Sequence, residues 1–259
     1  MNTKHFWSIV VCCILCGLAL SCQNKENNNN VEEKDDASNA ITTETTQNAA
    51  DTSMSEAEKN GFVVLTDVVP DAILEIRYFS TFNFMGVRVD GYNAPIAYLT
   101  KEAADSLKAV SDDVKAMGYR LKIFDAYRPQ CAVDHFVRWS KEASDTLMKR
   151  YFYPDIDKPR LFEEGYIAKK SRHTTGSTVD LTLFDMNKEK EVDMGSPFDW
   201  LGEESHPDYE GVTPEQHQNR MILREAMLRH GFRAISTEWW HFTLKNEPYP
   251  DTYFTFVIE

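Results

Sequence analysis

Three short stretches concentrate residues able to do chemistry: Asp125-Ala126-Tyr127-Arg128-Pro129, the run from Ser171 to Asp180, and Glu238-Trp239-Trp240-His241. Two histidines and one aspartate among them, His173, His241 and Asp180, are the donor types of an open zinc site, which keeps a fourth position for water or substrate. Neutral imidazoles and a single carboxylate leave the ion with net positive charge. That charge lowers the pKa of bound water towards about 7 and polarises a carbonyl. Each residue also has an ordinary structural alternative: a packed histidine beside tryptophan, an aspartate capping a turn, a glutamate or arginine in an ion pair. The combination is far more specific than any member.

Spacing constrains how these residues can meet. Seven positions separate His173 from Asp180, so in one uninterrupted strand they would lie about 23 Å apart and on opposite faces. The chain must reverse between them, and Gly176 with its Thr and Ser neighbours supplies the turn chemistry. Glu238 and His241, three apart, would point to opposite faces of a regular strand. Glu238 is therefore expected in a loop or bulge at the strand's entry, with His241 already in the ladder.

The elements that must position them are partly readable. Thr100 caps an expected helix in which Ala103, Leu107, Val110, Val114 and Met117 recur at helical spacing, with Gly118 at the stop. Tyr119 to Ile123 alternates apolar and basic, as a half-buried strand does. Thr213-Pro214-Glu215-Gln216 combines an N-cap, a first-turn proline and a capping-box glutamine, opening a helix that runs to His230 and stops at Gly231. Phe232 to Leu244 then reads as a strand. The fold class expected is α+β, with an antiparallel sheet flanked by helices.

Composition sets the frame. The chain has 259 residues and a formal charge of −13, which argues against nucleic-acid binding because phosphate affinity rests on Lys and Arg. With 42% hydrophobic and 12% aromatic residues it can bury a core. Met1 to Cys22 reads as a signal segment: Lys4, then a nearly all-apolar run from Phe6 to Leu20, then Ala19-Leu20-Ser21-Cys22 in the manner of a bacterial lipobox. About 15 apolar residues are short for a spanning helix of about 20. Cys22 is then the lipidated residue, tethering the protein to a membrane facing an extracytoplasmic space. Residues 23–60 carry nine acidic residues against three basic and no aromatic, and read as a disordered acidic tether. Residues 61–259 form the expected folded domain. Cys131 alone remains there, so no intramolecular disulfide is available to it, and it is expected as a small buried hydrophobe. There is no P-loop pattern and no G-x-S-x-G elbow.

These residues lead to a family. The segment resembles the zinc D-alanyl-D-alanine dipeptidases associated with vancomycin resistance and D-Ala-D-Ala salvage, through Asp90-Gly91-Tyr92, Tyr127-Arg128-Pro129, Ser171-x-His173, Gly176, Asp180-Leu181-Thr182-Leu183, Met194-Gly195-Ser196, Phe198-Asp199, Glu238-Trp239-Trp240-His241 and Glu247-Pro248-Tyr249-Pro250. The resemblance implies the small α+β zinc metallopeptidase fold shared with D,D-carboxypeptidases and the Hedgehog signalling domain, with one Zn2+ per domain. By it, His173, Asp180 and His241 match the zinc ligands, Glu238 the catalytic base, and Arg128 the residue stabilising the developing oxyanion. Tyr78, Ser171 and Asp199 match positions around the two ends of the dipeptide. The signal segment and tether lie outside it. They imply a lipid-anchored enzyme of the bacterial envelope, at the periplasmic face or cell surface, acting on a small D,D-dipeptide without a protein partner.

Other readings remain open. A D,D-carboxypeptidase trimming longer stem peptides would use the same chemistry with a more open pocket. A non-catalytic cell-wall-binding lipoprotein would not need Glu238. A non-haem iron oxygenase also uses two His and a carboxylate, in a closer His-x-Asp pairing than the one here.

Overall fold

A computed structural model describes residues 54–259. The expected signal segment 1–22, with Cys22, and the acidic stretch as far as residue 53 lie outside the described residues. The end of that stretch is folded: helix α1 (Glu56–Lys59) carries a reciprocal capping box between Ser55 and Glu58 and buries Ala57. Regular structure is thus present before residue 61, held by the reciprocal cap and the buried Ala57.

Strand β1 (Phe62–Val64), helix α2 (Leu65–Val68) and strand β2 (Ile73–Leu74) follow. After a long connection, β3 (Tyr98–Thr100) pairs antiparallel with β1 and leads straight into α3 (Lys101–Ala116). The expected stripe of α3 is buried at Ala103, Leu107, Val110 and Val114, whereas Met117 is exposed as the C-cap residue. Gly118 ends the helix at φ 92°, in the left-handed region that favours glycine. Thr100 holds the N-cap position but does not cap: its hydroxyl lies 2.8 Å from Ser177 Oγ, a tertiary contact that competes for the same oxygen.

Beyond β4 (Tyr119–Asp125) comes α4 (Gln130–Lys141), a helix the sequence reading did not place, although Ala132, Val133, Phe136 and Trp139 recur at helical spacing and are buried. Short helices α5 (Lys149–Phe152) and α6 (Arg160–Glu163) precede a 3-10 turn at Arg172–Thr175. Then come β5 (Thr178–Asp185), β6 (Lys190–Glu191), a 3-10 turn at Glu203–Ser205, and α7 (Pro214–Arg229), opened by the expected capping box of Thr213 and Gln216. The strand expected from Phe232 to Leu244 is two strands, β7 (Phe232–Ala234) and β8 (His241–Leu244), paired antiparallel. The residues between them leave the ladder to carry Glu238.

The main sheet has the order β2-β4-β5-β8-β7, with β6 beside β5. Its pairings are antiparallel except β2 with β4, which run parallel at one edge. Central strand β5 is buried at all its positions but one. Val179, Leu181 and Leu183 share one face of it and join the core with residues of α3 and α7; Thr178, Asp180 and Thr182 share the other. Cys131 is half-buried, not buried as expected. Among the described residues no helix is long and apolar enough to cross a membrane.

Candidate active site

Strand register builds the first row of the site. Asp180 on β5 stands opposite His241 on β8 and, on its other side, opposite Asp125 on β4. Directly opposed residues of antiparallel strands project from the same face. The pairing with Asp125 requires a bulge. Ile123 faces Leu181, so regular continuation would set Phe124 against Asp180 and turn Asp125 to the opposite side. One extra residue in β4 re-aims Asp125 into the row, as bulges beside active sites do.

His173 reaches the same place by the expected reversal. The 3-10 turn Arg172–Thr175 starts at Ser171, whose hydroxyl accepts from the His173 amide at 3.3 Å, and ends at Gly176 with φ 85°. A Cβ on Gly176 would lie 2.2 Å from the Phe62 ring, so both backbone conformation and space demand glycine. The turn swings His173 back over the start of β5.

His173 Nε2, His241 Nδ1 and the two Asp180 oxygens converge: Nε2 to Nδ1 is 3.2 Å, Nε2 to Oδ2 3.2 Å and Nδ1 to Oδ1 3.1 Å. A tetrahedron with arms of about 2.0–2.1 Å has edges of about 3.3 Å, so the donor set fits a zinc ion in both type and spacing. His173 Nδ1 lies 2.7 Å from the Ala126 carbonyl, to which it donates, leaving the Nε2 lone pair facing the cluster. Burial holds the His173 pKa below its ordinary value, so the ring is neutral and ready to ligate. Burial opposes ionisation of Asp180, but His173 and His241 outweigh it and hold the carboxyl well below the usual range.

Around this cluster lies a cavity of about 300 Å³, whose lining includes Tyr78, Arg128, Ser171, Asp199, Glu238 and Trp240. All eight residues expected from sequence are therefore brought together. Glu238 sits in the loop just before β8, as expected, with Oε2 3.5 Å from His241 Nδ1. Burial raises its pKa to about 6, close to neutrality. Arg128 follows β4; its guanidinium reaches Asp180 Oδ2 at 3.5 Å and lies over the rings of Tyr78 and Phe136. Asp199, at φ 62°, is buried on the far side, where Oδ1 accepts from the Tyr78 hydroxyl at 3.1 Å. Its Oδ2 is buried without a hydrogen-bond partner among the described residues, and burial with the nearby Asp180 charge pushes its pKa well up.

Sequence reasoning gave no role to Asp125 and Tyr92. Asp125 Oδ2 accepts from Arg128 Nε at 2.9 Å, and Oδ1 accepts from the Tyr92 hydroxyl at 2.7 Å. The pair fixes the plane of the guanidinium that faces the cavity. Both lie in stretches noted in the sequence, but only the bulge in β4 makes the contact evident.

The site's residues fall within a match to the family model described as D-ala-D-ala dipeptidase, which spans residues 58–259. A D-alanyl-D-alanine dipeptidase of Enterococcus faecalis is 40% identical over 200 residues, covering 77% of this chain and 99% of that protein. One of Streptomyces coelicolor is 39% identical over 197 residues, 76% of this chain and 98% of its own. One of Escherichia coli is 32% identical over 182 residues, 70% of this chain and 83% of its own. With a match running from α1 to the last described residue and two of these relatives covered almost end to end, the chain belongs to the D-Ala-D-Ala dipeptidase family of metallopeptidases.

Proposed function

We propose that the protein hydrolyses the free D-alanyl-D-alanine dipeptide with one zinc ion held by His173, Asp180 and His241. When bound, that ion supplies Lewis acidity for the scissile carbonyl and for the attacking water. Glu238 takes the proton of the attacking water as the new C–O bond forms, and passes it to the leaving nitrogen as the C–N bond breaks. Arg128, clamped by Asp125, directs its free N–H groups at the oxyanion that develops on the carbonyl. Ser171 lines the cavity beside His173 and is placed to meet one end of the substrate.

The observation that carries the dipeptide reading is Asp199 Oδ2, buried and unpartnered beside the cavity. An unpaired buried oxygen is costly, and a substrate ammonium group offers it both a donor and a countercharge. A longer stem peptide has an amide at that position, without the charge and with one N–H donor in place of the ammonium's three. Hydrolysis of D-Ala-D-Ala and of a pentapeptide stem, followed by mass spectrometry with and without chelator, tests this. The expected result is chelator-sensitive cleavage of the dipeptide only. Equal cleavage of both would favour the carboxypeptidase reading, and stoichiometric iron without peptidase activity would overturn the zinc assignment.

Residues 1–22 and the acidic run after them support a further placement: the domain is carried on a lipid-modified Cys22 in the bacterial envelope, where cell-wall peptides are turned over. Cys22→Ser should move the protein from the membrane fraction to the soluble one. Retention in the membrane would exclude lipid at this cysteine as the anchor.

A further inference from the structure

Helix α7 turns one charged residue inward. Arg220 is 1% exposed on the face that also buries Leu223, Ala226 and Met227. A guanidinium keeps its charge even when buried, so its donors must be satisfied where it sits. They are satisfied by a single loop. Nε donates to the Met194 carbonyl at 2.6 Å, Nη1 to the His206 carbonyl at 2.7 Å, and Nη2 to the Glu204 carbonyl at 2.8 Å, with Ser196 Oγ at 3.4 Å. One rigid fork thus ties both ends of residues 194–206 to the helix, and Asp199 lies inside that span.

The same loop grips the segment that carries Glu238. Ser196 Oγ accepts from Trp239 Nε1 at 3.0 Å, Ser205 O accepts from the Trp239 amide at 2.9 Å, and Ser205 Oγ lies 2.7 Å from the Thr237 carbonyl. Residues on both sides of Glu238 are therefore fixed to a loop that Arg220 fixes to α7. Asp199 adds a reason for such bracing. Its φ of 62° is unfavourable for a residue with a Cβ and persists only where the surroundings over-determine it.

We infer that Arg220 is a positioning residue for the reaction: its guanidinium latches the 194–206 loop and thereby sets, together, Asp199 at the amine end of the cavity and Glu238 at the scissile bond. The inference rests on the dipeptidase reading for its kinetic consequence, not for the latch itself. A residue that only stabilised the fold would weaken all ligands alike. A latch acting through Asp199 discriminates between substrates that present an ammonium group there and analogues that do not.

The test uses Arg220→Lys in the full chain, with folding checked by circular dichroism and bound zinc counted. Lysine keeps the charge but cannot reach three carbonyls at once. Amide hydrogen exchange should rise in residues 194–206 and 237–240 together and stay unchanged in 172–180. KM for D-Ala-D-Ala should rise about tenfold or more with a fall in kcat, while the inhibition constant of N-acetyl-D-Ala-D-Ala, which lacks the amine, moves less than about threefold. Unchanged exchange in 194–206, or an equal rise in KM and in the inhibition constant, overturns the inference. Should Arg220→Lys not fold, Ser196→Ala removes the oxygen shared by Arg220 and Trp239 without touching the charge. It should loosen the same two segments by a smaller factor, and exchange confined to either one alone overturns the coupling. Wild-type protein that fails to cleave D-Ala-D-Ala would defeat the dipeptidase reading and leave the exchange result to decide the latch.

Discussion

The two walls of the cavity are built on different principles. The metal wall stands on regular structure: Asp180 and His241 are ladder partners on β5 and β8, and His173 is one tight turn away. The substrate wall, Asp199 and Glu238, stands on irregular backbone held by side chains and loop hydrogen bonds. Ladder hydrogen bonds are made by backbone groups and not by particular side chains, so the metal wall is set by strand register. The substrate wall depends on a few particular groups. In the proposed reaction the work is thereby split: strands carry the candidate metal ligands, and loops carry the groups proposed to meet the substrate.

The sharpest way to separate the walls is to delete one member of each. His241→Ala should abolish both metal binding and activity, whereas Glu238→Ala should keep the metal and lose about two to four orders of magnitude in kcat. Metal analysis beside steady-state kinetics distinguishes them, and a Glu238→Ala variant with substantial activity would remove it as the base. Arg128→Ala, with its clamp Asp125 left in place, should cost about two to three orders of magnitude in kcat at unchanged metal content. Gly176→Ala attacks the metal wall through the backbone. The left-handed conformation and the clash with Phe62 together should cost about 2–4 kcal/mol of stability, seen as a lower Tm and weaker metal retention. On the substrate wall Asp199→Asn should raise KM about ten- to a hundredfold with little change in kcat, an expectation that an unaltered KM would defeat.

The smallest effect is with pH. Glu238 accepts a proton only when ionised, and burial raises its pKa to about 6. As pH falls through that value the protonated, inactive fraction grows, so kcat should drop about tenfold per unit on the acid side. A bound cation nearby favours the carboxylate and moves the limb lower, never higher. An acid limb well above pH 6 would point to another group.

The metal wall was largely legible in the sequence and the substrate wall only in part. His173, Asp180 and His241 announce themselves by residue type, the reversal at Gly176 follows from the distance a strand would impose, and the loop position of Glu238 follows from strand parity. The bulge at Phe124 has no comparable signal, because the alternation that marks the strand runs from Tyr119 to Ile123 and stops before it, and with it the clamp on Arg128 stays hidden. Arg220 is hidden for another reason. In a helix as charged as Pro214–Arg229 nothing local tells which cation turns inward; that is decided by the loop that comes to meet it. Thr100 shows the same limit at a cap, where its hydroxyl chose Ser177 over the helix end.

The alternation of β5 has one further consequence. Val179, Leu181 and Leu183 on one face and Asp180 on the other are set by the same parity, so the burial that seats the sheet also aims the carboxylate. A slip of one residue would reverse both at once. The affinity of the metal cluster is therefore a gauge of packing on the side of the sheet that never touches it, and a methyl group removed at Leu181 would be read out as looser metal one residue away.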